Sequence, residues 1–315
     1  MPDETGVASP SRLHTEPSTE PGTNGPNPAP LRGWSRANRM NLLVWVSIGF
    51  IAPGILVFLL YPNLTLAPSV LTIRMELPIK AITALAMILA TWVVSRREKR
   101  PLGDYGIPPR QACGGRFWEG AVWGFAMLSL ILVCVKVFGS FHIDSIALSG
   151  TAILRFALGW GLVFLAVSFN EELAFRGYWL FALARRMRFW PAAIILSVIF
   201  GLAHMGNHGE NVLGIAQVVA IGLLFCLTVR RTGTLWFALG FHAAWDWAET
   251  FFYGTPDSGM LGAGRFMNTS VQGPDWLTGG SAGPEGSIFA LLVVLICALL
   301  IHFRFPKVIY PDQPV

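Results

Sequence analysis

The chain has 315 residues, of which 53% are hydrophobic and only 13% are charged, and its formal net charge is +5. A soluble domain usually carries about 25% charged residues, so this composition argues against a soluble protein and indicates a polytopic membrane protein. The excess of Lys and Arg is then expected in cytoplasmic loops, which makes the lipid bilayer the expected partner and argues against nucleic acid.

A polar tail precedes the apolar part of the chain. Residues 1–31 are rich in Pro, Ser, Thr, Gly and Asn, and this composition predicts disorder. Eight apolar segments follow and predict an all-α bundle of about eight transmembrane helices: residues 41–61, 77–95, 117–138, 152–184, 190–204, 212–229, 234–253 and 287–303. The fourth is too long for one crossing, and the fifth is short.

Basic residues concentrate in alternate loops, as the positive-inside rule requires when both termini are cytoplasmic. They are Arg32, Arg36 and Arg39, then Arg96, Arg97, Lys99, Arg100, Arg110 and Arg116, then Arg185, Arg186 and Arg188, then Arg230 and Arg231, and finally Arg304 and Lys307. This alternation supports the short fifth span. The absence of a signal peptide and the scarcity of Lys favour a multi-pass protein of a bacterial plasma membrane.

Two carboxylates and an arginine lie within the fourth apolar segment. Each charge at bilayer depth costs about 2.5–3.5 kcal/mol on insertion scales, so such residues suggest a functional site. Glu172 and Arg176 are four residues apart and share a helix face. Glu171 is rotated by about 100° from Glu172, so it needs another partner and is available for chemistry.

Two further polar pairs have helical spacing. Phe200 and His204 end the fifth segment, and His242 and Asp246 lie in the seventh. Counted from the basic loops at about 1.5 Å per residue, Glu171, His204 and His242 all lie roughly 15–25 Å into the membrane. Because unpaired polar groups are costly in lipid, this convergence favours one common site over separate structural contacts.

The three motifs together resemble the CPBP family of CAAX proteases and bacteriocin-processing enzymes, which includes the type II CAAX prenyl endopeptidases. Its pattern reads here as Glu171-Glu172-x-x-x-Arg176, Phe200-x-x-x-His204 and His242-x-x-x-Asp246. The resemblance covers about residues 117–253, which we take as the catalytic core. It is preceded by the two first spans and a basic loop (32–116) and followed by an exterior loop, the last span and a short tail (254–315).

The resemblance implies an intramembrane endopeptidase acting on a membrane-associated or lipidated protein or peptide. It implies that Glu171 and His204 activate water and that His242 and Asp246 stabilise the oxyanion, with Glu172, Arg176 and Phe200 in support. No Ser or Cys is paired with a base, which argues against an acyl-enzyme.

Asp246 stands where an Asn would donate a hydrogen bond to an oxyanion, which an ionised Asp cannot do. We therefore expect Asp246 to accept an N–H from His242. Such carboxylate–histidine pairs also orient metal ligands, so a zinc site formed by Glu171, His204 and His242 stays open. The absence of an H-E-x-x-H motif favours a metal-free glutamate mechanism without a cofactor.

Two other functional classes stay open from the residues alone. The chain could be a catalytically inert membrane scaffold or immunity protein that binds a partner in the same cavity. It could instead be a proton-coupled transporter in which Glu171 and the histidines form a relay.

Overall fold

The computed structural model describes residues 36–61 and 70–310, so the polar tail predicted over residues 1–31 lies outside the described part of the chain. The architecture is mostly helical. The α-helices are α1 (Arg36–Val46), α2 (Ala52–Leu60), α3 (Ile73–Glu98), α4 (Gly115–Val137), α5 (Thr151–Arg176), α6 (Tyr178–Met187), α7 (Phe189–Ala203), α8 (Val212–Thr232), α9 (Trp236–Trp247), α10 (Asp275–Thr278) and α11 (Ile288–Arg304).

Every predicted apolar segment forms helix. A π-helical turn, Ser47–Ile51, joins α1 to α2, and the overlong fourth segment is broken at Gly177 into α5 and α6. Within the described residues, five helical stretches are long and apolar enough to cross a membrane: Ala37–Leu60, Ile73–Glu98, Gly115–Val137, Thr151–Met187 and Val212–Thr232. Helices α7 and α11 are apolar but shorter. The count of eight spans and the orientation of the termini stay predictions.

The outward helix faces are apolar. Large exposed hydrophobic side chains occur on several of the long helices, among them Leu85, Trp118, Val122, Leu154, Leu158 and Leu299. Apolar surface of this extent is unusual on a soluble monomer and is expected where lipid covers the protein.

Helix α9 is held against α4 by glycines. A Cβ atom at Gly120 or Gly124 would overlap the backbone carbonyls of Phe237 and Phe241, and Gly240 faces the carbonyl of Phe117 in the same way. The Gly-x-x-x-Gly spacing in α4 therefore permits backbone contact between the two helices. This contact fixes the position of α9, which carries His242 and Asp246.

Two small sheets correct the all-α prediction. Strand β1 (Val70–Leu71) pairs in parallel with β3 (Leu261–Gly262), and β2 (Phe141–Ile146) pairs antiparallel with β4 (Met267–Val271). These strands have two to six residues, and the two strands of each pair are more than 100 residues apart in sequence. Segments this short have no hydrophobic periodicity from which they could be predicted. They tie the loop after α9 to the segments before α3 and α5.

Candidate active site

The predicted ion pair is present in α5. The Nη1 atom of Arg176 donates to Oε1 of Glu172 at 3.1 Å, and both side chains are fully buried. A pair of charges in a dry interior compensates its own desolvation only partly, but loss of either partner leaves a buried charge alone. Each of the two charges therefore lowers the cost of burying the other.

Aromatic rings complete the surroundings of Arg176. Its guanidinium carbon lies 4.2 Å from the ring centroid of Phe200 and 5.7 Å from that of Phe225. A cation over a ring face is stabilised by the ring quadrupole. Phe200 also packs edge-on against His204, with the two ring centroids 4.5 Å apart. Phe200 thus connects the ion pair on α5 with the histidine that follows α7.

His242 contacts three carboxylates. Its Nδ1 lies 2.9 Å from Oε1 of Glu172, while its Nε2 lies 3.4 Å from Oδ2 of Asp246 and 3.8 Å from Oε2 of Glu171. An ionised carboxylate only accepts, so the Nδ1–H donates to Glu172. The expected acceptance of an N–H of His242 by Asp246 would use the other ring nitrogen, Nε2, and stays a prediction. Glu172 makes the short hydrogen bond, because the packing of α9 on α5 brings the two residues together.

His204 lies at the end of α7 and is oriented by its own helix. Its Nδ1 is 2.8 Å from the carbonyl oxygen of Phe200, so an Nδ1–H can donate there and leave Nε2 unprotonated. In the described part of the chain no ion pair or direct hydrogen bond joins His204 to Glu171. Joint activation of one water would therefore place that water between them.

All four predicted catalytic side chains line one cavity of about 210 Å³. Glu171 is the most exposed of the site carboxylates, with 25% of its side chain accessible, whereas that of Asp246 is 12% accessible. Phe200 contributes to the wall, and Glu172 and Arg176 lie behind it. Side chains carried by α5, α9 and the end of α7 thus line the same cavity. The catalytic roles given to them stay predictions.

Sequence reasoning missed Gln217 in α8. Its side chain lines the cavity, is 1% exposed, and has an Oε1 atom with no hydrogen-bond partner among the described residues. A lone Gln inside an apolar helix is the signal that could have found it, since polar groups at bilayer depth are costly and often belong to a functional site. Its amide is a candidate contact for a peptide group.

Three more acids at one end of the cavity were also missed. Asp257 and Glu285 line the cavity, and Glu249 lies beside them. Burial and the neighbouring acids Glu210 and Asp246 raise the pKa of Glu285 to about 7, and burial with Asp246 and Glu285 raises the pKa of Asp257 well above its ordinary value. Glu249 falls inside the predicted seventh span, so the rule that identified Glu171 applies to it as well.

The predicted zinc ligands do not form a compact set. Within residues 36–61 and 70–310, the one group of His, Cys, Asp and Glu atoms that all lie within 4.8 Å of one another consists of Glu249, Asp257 and Glu285. Glu171, His204 and His242 are not such a group. A zinc ion at those three residues therefore does not fit the arrangement that the structure shows.

Comparison with known families agrees with the site. Residues 153–248 match the family model described as type II CAAX prenyl endopeptidase Rce1-like, which confirms the resemblance predicted from the motifs. The matched segment contains every predicted site residue and ends just before Glu249. Members of this family are membrane proteases, and the apolar helices agree with an integral multi-pass protein. No curated protein matches the chain significantly.

Proposed function

We propose that the protein is an intramembrane endopeptidase that hydrolyses a peptide bond in a membrane-associated or lipidated protein or peptide. The observation that carries the proposal is the meeting of Glu171, His204, His242 and Asp246 at one cavity inside a bundle of apolar helices. Peptide hydrolysis needs a base for water and a donor for the oxyanion, and this cavity offers both.

Glu171 is the proposed base. It is the most exposed of the site carboxylates, and its Oε2 lies 3.8 Å from Nε2 of His242. Glu171 takes a proton from water as the water oxygen bonds to the scissile carbonyl carbon. The protonated Glu171 then donates to the amide nitrogen as the C–N bond breaks, which yields a carboxylic acid and an amine. His204 holds the same water through its Nε2.

His242 is the proposed oxyanion donor. Its Nδ1–H is held by Glu172, so a proton on Nε2 points away from that contact. Asp246 lies 3.4 Å from Nε2. Its carboxylate stabilises the positive charge of the doubly protonated ring, and Asp246 does not itself have to donate a hydrogen bond to the oxyanion. Glu172 therefore has two tasks, because it balances Arg176 and orients His242.

Replacement of the base tests the proposal. We expect Glu171→Gln to reduce cleavage of a co-expressed lipidated reporter by about 10²–10⁴-fold, the usual contribution of a general base. The protein should still accumulate in the membrane, because Glu171 is not part of the buried ion pair. Mass spectrometry of the released product gives the cleavage position.

Glu119→Gln is a matched control. Glu119 lies near the start of α4, pairs with Arg116 and Arg304, and is remote in sequence from the site motifs. This variant should cleave at the rate of the unmodified protein. Cleavage at an unchanged rate by Glu171→Gln would overturn the protease proposal, and Glu171-dependent proton uptake in liposomes without cleavage would indicate a transporter.

A further inference from the structure

Three carboxylates outside the proposed catalytic set meet beside the cavity. One oxygen atom from each of Glu249, Asp257 and Glu285 lies within 4.8 Å of the other two. Glu249 belongs to the π-helical segment Ala248–Tyr253 that continues α9, Asp257 lies in the loop after it, and Glu285 lies in the 3₁₀ turn Pro284–Gly286 before α11. Three separate pieces of chain therefore deliver one acid each to the same point.

Glu249 is fully buried and has no cationic partner among the described residues. Its exposed fraction is 0%, and neither carboxylate oxygen makes a hydrogen bond of ordinary length and angle in the described part of the chain, although the indole of Trp245 lies close enough to interact with it. Burial of a carboxylate without compensation is among the most costly arrangements in a protein. An oxygen of Glu249 lies close to both other acids, so the missing partner belongs between the three.

The contacts around the other two acids position them without neutralising them. Thr250 Oγ1 donates to Oδ2 of Asp257 at 3.0 Å. The backbone N–H and the hydroxyl of Ser258 donate to Oε1 of Glu285 at 2.8 and 3.0 Å. These neutral donors leave one oxygen of each acid uncommitted.

Among the described residues, no cationic side chain forms a direct ion pair with the cluster. In residues 36–61 and 70–310, no Lys, Arg or His nitrogen lies within 4.0 Å of Glu249, Asp257 or Glu285. Carboxylate and hydroxyl oxygens, with no nitrogen or sulfur ligand, are the donors that hard divalent cations prefer.

We infer that Glu249, Asp257 and Glu285 bind a hard divalent cation of the Ca²⁺ or Mg²⁺ class. This site is separate from the proposed catalytic residues and does not depend on the proposed protease activity. A bound cation would join the end of α9, the loop after it and the start of α11. Because Asp257 and Glu285 also line the cavity, the cation would fix one wall of the space in which a substrate binds.

Direct binding to the full-length protein in detergent tests the inference. After EDTA treatment and desalting, Ca²⁺, Mg²⁺ and Zn²⁺ are titrated separately by calorimetry, and the thermal midpoint is followed in parallel. We expect one Ca²⁺ or Mg²⁺ per chain, a higher midpoint with that cation, and no preference for Zn²⁺. Tb³⁺ luminescence excited through tryptophan gives a second readout, since Trp245 lines the same cavity.

Isosteric amides separate a cation site from a cluster of shared protons. Glu249→Gln and Asp257→Asn keep the side-chain shape and should each weaken binding at least tenfold, while the control Glu119→Gln should bind like the unmodified protein. If Glu249→Gln does not fold, Asp257→Asn carries the test, because that residue is only partly buried. Absence of cation binding by the unmodified protein, or binding by both amide variants as tight as that of the unmodified protein, would overturn the inference.

Discussion

Glu172 and Glu249 are two glutamates of equal burial with opposite surroundings. Both are 0% exposed, and both lie behind the walls of the same cavity. Glu172 is contacted by the guanidinium of Arg176 and the imidazole of His242. Glu249 faces two further acids, Asp257 and Glu285.

The difference shows that burial alone does not reveal what a carboxylate is for. The charge of Glu172 is balanced by Arg176, although Oε2 of Glu172 has no hydrogen-bond partner among the described residues, and Oε1 of Glu172 also contacts His242. The cluster at Glu249 has no direct ion-pair partner among the described residues, which is why we infer that it binds a cation. Variants that alter the surroundings of one glutamate at a time test this contrast.

The largest expected effect is on stability, at the ion pair between Glu172 and Arg176. Arg176→Met removes the cation and leaves the buried charge of Glu172 with His242 as its one remaining partner among the described residues, which should lower the free energy of unfolding by about 3–5 kcal/mol. The measurement is the thermal or denaturant midpoint of the purified protein, or its level in the membrane if it cannot be purified.

A double variant distinguishes charge from packing in that prediction. Glu172→Gln combined with Arg176→Met removes both charges at similar volume and should recover most of the lost stability. Cleavage should not recover, because the neutral amide introduced by Glu172→Gln is a weaker acceptor for the Nδ1–H of His242 than the carboxylate is. Recovery of full activity by the double variant would contradict the role given to Glu172.

The pair Glu172–Arg176 was predictable because its members are four residues apart in one helix, where geometry fixes the contact. The meeting of α5, α7 and α9 at one site was predictable because polar residues in lipid must find partners. The contact between Glu172 and His242 was not, since it joins residues 70 positions apart and depends on how closely Gly120 and Gly124 let α9 approach α4.

The acidic cluster escaped prediction for a related reason. Asp257 and Glu285 lie in loops that are ordinary in composition, and only the folded chain brings them to Glu249. The fold class was predicted from apolar segments, whereas the two small sheets that tie these loops down have no periodic pattern to reveal them.

An intermediate effect is expected at Glu249, in the acidic cluster. In EDTA, Glu249→Gln removes the cost of burying a third acid beside Asp257 and Glu285 and should raise the free energy of unfolding by about 1–3 kcal/mol. In saturating Ca²⁺ the order should reverse, because the variant has lost a ligand. Thermal midpoints of both proteins in the two buffers measure this crossover, and parallel curves in both buffers would contradict it.

The smallest effect is expected at Asp246, which interacts both with His242 and with the acidic cluster. Its carboxylate is 3.4 Å from Nε2 of His242, and its charge also acts on Asp257 and Glu285. Asp246→Asn keeps the shape and removes the charge from both regions. Cation binding should weaken by about threefold, or ~0.65 kcal/mol, since Asp246 is a neighbour of the cluster and not a ligand.

Cleavage by Asp246→Asn should fall by about tenfold, or ~1.4 kcal/mol, because the imidazolium form of His242 loses support while Glu172 still holds its Nδ1–H. This is a smaller loss than the one expected for Glu171→Gln, and the two rates measured on one reporter rank the residues. A loss as large as that of Glu171→Gln would show that Asp246, and not Glu172, is the carboxylate on which His242 depends.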